Sequence, residues 1–158
     1  MKIVLNPIGV IHTEFKRMDE MPIQGGLFPD NRGVVEVFRE YAGGLSDIDG
    51  FSHIILTYFF SQSNGFELKV KPFLEERVRG VFSTRAPRRP NPIGITVVKL
   101  DSVEGNTLNV RGVDMLDGTP LLDIKPYIPE FDVRSDAETG WIRERVGGAH
   151  LSDGRFKR

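Results

Sequence analysis

Cysteine is absent from the 158 residues, which excludes disulfides, thiolate nucleophiles, zinc–cysteine sites and cysteine-held iron–sulfur clusters. Histidine is scarce, and His12, His53 and His150 stand apart with no HxH or HExxH spacing, so no metal site is expected. The 17 glycines include no G-x-G pair and no GxxxxGK[ST] run, so the dinucleotide fingerprint and the P-loop are both missing. No GxSxG elbow points to an acyl-transfer hydrolase. No apolar run approaches the roughly 20 residues that span a bilayer, and no signal-peptide pattern opens the chain. The expectation is a cytoplasmic protein with no membrane partner.

What is present is ordinary in bulk and uneven in detail. With 39% hydrophobic and 27% charged residues, the chain has the balance of a single globular domain large enough to bury a core. A net charge of −1 argues against bulk nucleic-acid binding. Yet every charged residue from Arg77 to Lys99 is Lys or Arg, whereas Asp and Glu dominate from Asp101 to Glu138 and cations return in the tail. Such polarity suits a chain that meets an anionic partner on one side. Chance clustering on a solvated surface is the plain alternative.

Apolar alternation and turn chemistry divide the chain into short strands. The opening KIVLNPIGVIHT reads as an edge strand with a bend at its proline. Residues 18–33, rich in Gly and Pro, read as a loop of a length that tends to be functional. GVVEVF follows as a strand, a turn or two of helix fits between Glu40 and Gly50, and FSHIILTYFF reads as a buried strand. FELKVKPF alternates as a half-wet strand, and Glu104-Gly105-Asn106 turns a hairpin between residues 93–100 and 107–113. LLDIKPYIP is a further strand. Short strands with frequent turns indicate a mostly antiparallel barrel or sandwich. Beyond Phe131 the pattern weakens into a strand or two or a partly ordered arm.

Two stretches carry chemistry. GVFSTRAPRRPNPIG, residues 80–94, holds Arg85, Arg88 and Arg89 among Pro87, Pro90 and Pro92. Its prolines make it stiff and irregular, and each guanidinium offers a planar fork for carboxylates and phosphates. Asn91 can present a donor and an acceptor to an adenine edge. Asn91-Pro92 matches part of the (Asn/Asp)-Pro-Pro-aromatic signature of enzymes that methylate exocyclic amines, with Ile93 and Gly94 in place of its second half. Alternatively, this is a rigid surface loop whose arginines pair with Asp114, Asp117 or Asp123. The second stretch, DMLDGTPLLDIKPY, has a Gly–Pro turn that exposes backbone donors and acceptors. A tight turn ahead of a strand explains it equally well.

Taken together, the two stretches resemble the TrmO-type (TsaA-like) family, and so do IGVIHTEF, PIQGG and GFSHIILTYFF ahead of Ser61-Gln62. The likeness covers about the first 130 residues. It implies a mainly β fold, a single antiparallel β-barrel with little helix over residues 1–132 and a less regular C-terminal extension over 133–158. It also implies S-adenosylmethionine-dependent methylation of the exocyclic nitrogen of threonylcarbamoyladenosine beside a tRNA anticodon, in a homodimer with the cofactor near the subunit junction. By match to the family's motifs, Gln24, Gly25, Gly26, Ser61, Gln62, Arg85, Ile95, Thr119, Pro120, Leu121 and Leu122 would contact the cofactor. Arg88, Arg89 and Asn91 would hold the RNA, with Asn91 and Arg85 positioning the reacting groups. No general base is evident, Asp117 and Asp123 being the candidates. Two departures stand out. Bacterial members have His where this chain has Ser61, and many carry a longer C-terminal domain, so the short form resembles archaeal-type members. An S-adenosylmethionine-binding sensor or adaptor without catalysis is the alternative in another functional class.

Overall fold

Six strands close on themselves in the order β1-β2-β7-β6-β3-β8, and every pair is antiparallel. They are β1 (Gly9–Thr13), β2 (Arg32–Val37), β3 (His53–Phe59), β6 (Ile93–Glu104), β7 (Thr107–Arg111) and β8 (Thr119–Pro126). A separate two-stranded sheet pairs β4 (Lys69–Val70) with β5 (Arg79–Gly80). A four-residue α1 (Pro129–Asp132) and short 3-10 turns are the other regular elements among the described residues. The structure is a computed structural model and describes residues 1–145 apart from Gln24, Leu74 and Glu144. No helix among the described residues is long and apolar enough to cross a membrane.

The barrel follows from alternation. Successive strand residues point to opposite faces, so Thr96, Val98 and Leu100 of β6 are buried while Ile95, Val97 and Lys99 face outward. Ile11, Val35, Ile54, Leu56, Leu108, Val110 and Leu121 fill the interior from the other strands. Each such side chain contributes about 1.5–3 kcal/mol on burial. The expected hairpin forms through Gly105 (φ 62) and Asn106. Bulges interrupt the ladder between Leu100 and Ser102 and beside Thr57/Tyr58. The first singles out Asp101, which accepts from Arg111 Nε at 2.7 Å and Nη2 at 2.9 Å.

Some local expectations differ from the observed chain. Of the opening KIVLNPIGVIHT only Gly9–Thr13 is strand, and it is not an edge, since β1 has a neighbour on each side of the closed barrel. Pro7, with no N–H to donate, stands just ahead of it. FELKVKPF contributes only β4, and its buried Val70 packs with Val81, Ala86 and Phe73 in a small cluster outside the barrel core. The stretch 18–33 contains short 3-10 turns at Met18–Glu20 and Gly25–Leu27 within its loop. The tail beyond residue 145, with His150, lies outside the described residues.

Candidate functional site

One end of the barrel is roofed by three segments. The β3 exit continues through Phe60, Ser61 and Gln62, the loop at 18–23 lies beside it, and the arginine–proline loop closes the third side. Proline-imposed geometry leaves that loop with free carbonyls, and neighbours use them. Phe60 N–H donates to Pro92 O at 2.8 Å, Ser63 Oγ donates to Pro87 O at 3.2 Å, and Arg89 Nη1 donates to the carbonyls of Thr84 and Ala86. Arg89 therefore braces the loop from within. Arg88 forms an ion pair with Glu67 at 3.0 Å.

The cavity under this roof encloses about 90 Å³. Met18, Met21, Phe60, Phe73, Met115 and Leu116 give it apolar walls, and Ser61, Gln62, Arg85, Asp114, Asp117 and Thr119 supply polar groups. Both motif stretches thus face one space. At its floor lies Asp114, only 7% exposed. Its Oδ1 accepts from Thr96 Oγ1 at 2.6 Å and from the Tyr58 hydroxyl at 3.3 Å, and its Oδ2 accepts from Gly25 N–H at 2.8 Å. Tyr58 itself stands edge-on to Phe60, with ring centroids 5.4 Å apart.

The two aspartates of this turn are driven in opposite directions. Burial pushes the Asp114 carboxyl up, against the hydrogen bonds from Thr96, Gly25 and Tyr58 and the nearby Arg85 charge. Burial, reinforced by Asp114, likewise raises Tyr58. Asp117 is held below the usual carboxylate range by its hydrogen bond from Lys16, 2.5 Å away, and by Thr13 N–H. A pocket with one ionised aspartate, one desolvated aspartate and a guanidinium can hold a ligand carrying charges of both signs.

The other candidate residues fall in several places. Gly25 packs so closely on Gly112 that a Cβ would lie 1.8 Å from the Gly112 carbonyl, and this lets its N–H reach Asp114. Gly26 is exposed beside it. Leu121 is a barrel-core residue, while Pro120 and Leu122 are half-buried on β8. Asn91 is exposed at the loop tip and outside the cavity lining, its carbonyl accepting from Ile93 N–H at 2.8 Å. Ile95 is 54% exposed on the outer wall of β6. Gln24 lies outside the described residues. Asp123 accepts from Lys125 and lines a different cavity, with Ile8, Tyr41 and Phe51. Among the described residues no group of three His, Asp or Glu could hold a metal ion.

Sequence reasoning passed over Tyr58, Thr96 and the anchoring role of Asp114. Thr96 carried a signal, since a hydroxyl on the inward register of IGITVVKL has to find a buried partner.

The family profile described as tRNA-methyltransferase O N-terminal domain matches residues 10–133. A Pyrococcus abyssi protein named "Probable S-adenosyl-L-methionine-binding protein" is 52% identical over 158 residues, covering 99% of this chain and 86% of the relative. The tRNA (adenine(37)-N6)-methyltransferase of Rattus norvegicus is 34% identical over 96% of this chain and 37% of its own. A crystal structure of TrmO superposes with a TM-score of 0.76 at 40% identity, over 89% of this chain. The match spans 64% of that solved chain.

Proposed function

This chain belongs to the tRNA-methyltransferase O N-terminal domain family, and on that premise we propose that it is an S-adenosylmethionine-dependent tRNA methyltransferase. Its target would be the exocyclic N6 of threonylcarbamoyladenosine beside the anticodon. The observation that carries this reading is the single cavity onto which Ser61-Gln62, Arg85 and the 114–119 turn all open.

The donor set fits the cofactor. Asp117 and the desolvated Asp114 suit its cationic sulfonium and ammonium, Arg85 suits its carboxylate, and the methionine- and phenylalanine-lined walls suit its adenine. When bound, S-adenosylmethionine supplies an electrophilic methyl group. The chain's residues then have to grip, align and exclude water, and positioning of this kind can lower a barrier by up to about 7–11 kcal/mol. Arg85 would take that positioning role in the cavity, and Asn91, exposed outside its lining, would take it from the side of the RNA. Gly25, Gly26, Ser61, Gln62 and residues 119–122, with Gln24 and Ile95, would form the cofactor surroundings. Asn91, exposed on the loop, would meet the RNA directly, and Arg88 and Arg89 would reach it only by exchanging Glu67 and the loop carbonyls for phosphates.

The same reading divides the chain into a barrel domain over 1–132 and an extension over 133–158, in a cytoplasmic homodimer. Two features support the dimer. A cavity of about 90 Å³ is well short of the roughly 300 Å³ or more that usually encloses a ligand of this size. Phe59, Ile93, Ile95 and Val97 also leave an uncovered apolar face on β3 and β6. A second copy laid on that face would add the missing wall and bring Ile95 to the junction.

Incubation with methyl-labelled cofactor and tRNA, with and without the threonylcarbamoyl group, tests the reading. Label should appear only on threonylcarbamoylated tRNA. Archaeal relatives named as S-adenosyl-L-methionine-binding proteins favour a second reading, a cofactor-binding sensor. Binding without transfer would select it, and neither binding nor transfer would dismiss both.

A further inference from the structure

We propose that residues 139–143 together with Arg145, beyond the part matched by the family profile, act as a strap that sets Arg85 in the cavity, with Trp141 as its positioning residue. The inference rests on the functional reading above for the meaning of Arg85, and on the following geometry for the strap itself.

Residues 66–90 leave the barrel between β3 and β6 and carry a hydrophobic cluster of their own, Val70, Val81, Ala86 and Phe73. A cluster that small cannot hold an excursion of this length rigid, so its position depends on what ties it down. The strap supplies such ties. The Trp141 indole N–H donates to Ser83 O at 2.8 Å, two residues before Arg85. The Arg79 guanidinium lies 5.2 Å from the centroid of the same indole ring and donates to Glu75 Oε2 at 2.6 Å. Arg145 closes the circuit, with Nη2 at 3.5 Å from that carboxylate oxygen and Nη1 donating to Trp141 O at 3.1 Å. Glu75 is a built part of this arrangement, its side chain only 4% exposed.

From Ser83 the constraint passes along a short, stiff path. Thr84 N–H and Oγ1 both donate to Val81 O, and Thr84 O accepts from Arg89 Nη1. Arg85 therefore has a fixed residue before it and a braced loop after it. Indole is suited to the task because it offers a π face to a cation and one N–H to a carbonyl at once.

The test is a double-mutant cycle on the full chain, read by calorimetry with S-adenosylmethionine and by methyl transfer to threonylcarbamoylated tRNA. Trp141→Ala should weaken cofactor binding about tenfold and leave the barrel's thermal transition in place. Trp141→Phe, which keeps a ring under Arg79 and loses the N–H, should fall between. Arg85→Ala combined with Trp141→Ala should bind no worse than Arg85→Ala alone, since residues acting through one another are not additive. Losses that add, or wild-type affinity in Trp141→Ala, would overturn the positioning role. Should Trp141→Ala fail to fold, Glu75→Gln gives the same answer. Trp141 is the only tryptophan, so release of the strap reads directly as a red shift of its emission. A shifted emission with unchanged affinity would also overturn the proposal. A wild-type chain that binds no cofactor removes the functional reading and the role of Arg85 with it, although the emission would still report whether the strap is docked.

Discussion

Gly25 N–H and Asp114 Oδ2, separated by 89 residues in sequence, are 2.8 Å apart and tie the glycine-rich loop to the floor of the cavity. Both oxygens of that carboxylate act as acceptors. Asp114→Ala removes both acceptors at once and leaves the buried Gly25 N–H without a partner. The variant should lose about 1–3 kcal/mol of stability, the cost of leaving a buried donor unpaired. Urea unfolding checks the loss, and a variant as stable as the wild type would remove Asp114 as the anchor.

Gly94 lies directly beneath the Tyr58 ring, where a Cβ would come within 2.3 Å of Cε2 and 2.5 Å of Cζ. Gly94→Ala forces the ring to move and its hydroxyl away from Thr96 and Asp114. Overpacking of this kind costs about 1–3 kcal/mol. Thermal melting should register the loss, and calorimetry should show weaker cofactor binding alongside it. A variant that melts as wild type would mean that the ring moves without cost.

Hydrogen bonds from Arg79, Arg77 N–H and Glu76 N–H hold the Glu75 carboxyl down at about 2, against an ordinary value of about 4.3. A depressed folded-state value gives a contribution that is complete above the unfolded value and disappears as pH falls through the folded one. Trp141 emission should therefore stay native at pH 5 and shift between about pH 4 and pH 2. Glu75→Gln should show the shifted emission already at neutral pH. An acid titration with no emission change above pH 2 would disprove the coupling.

Arg85→Ala should leave far-UV circular dichroism and melting unchanged while lowering methyl transfer about 10–100-fold, the equivalent of one charged hydrogen bond of about 1.5–3 kcal/mol. Equal activity would take the guanidinium out of the site.

Ile95→Glu places a charge in the middle of the apolar face on β3 and β6. Light scattering should find a monomer where the wild type is a dimer, with the barrel's circular dichroism retained. A wild-type chain that is monomeric at micromolar concentration would remove the dimer from the proposal.

Much of this architecture was legible because alternation and turn chemistry act locally. FSHIILTYFF, the hairpin at Gly105-Asn106 and the strand after Asp117-Gly118 could each be read from a few neighbouring residues. FELKVKPF misled for the same reason. Its alternation reports a buried Val70, and nothing local says that the residue packs on Val81 instead of in the barrel. The opening stretch reads locally as an edge strand, but whether a strand lies at an edge is a global property, and closure gives β1 a neighbour on each side. The site was half legible. Stiff prolines and forked cations announced the arginine loop, whereas the burial of Asp114 depends on Gly25 meeting Gly112 across 87 positions of sequence.

Among the described residues the excursion over 66–90 has a two-residue ladder, Lys69–Val70 against Arg79–Gly80, extended by the bonds Val81 N–H to Leu68 O and Glu67 N–H to Arg88 O. Amide hydrogens there should exchange with solvent far sooner than those of the closed sheet, since sub-global opening follows the weakest cooperative unit. On the functional reading proposed above, opening of that unit would have to break the Trp141–Ser83 and Ser63–Pro87 bonds and no rung of the closed sheet, so a large, charged guest could be admitted without the protein melting.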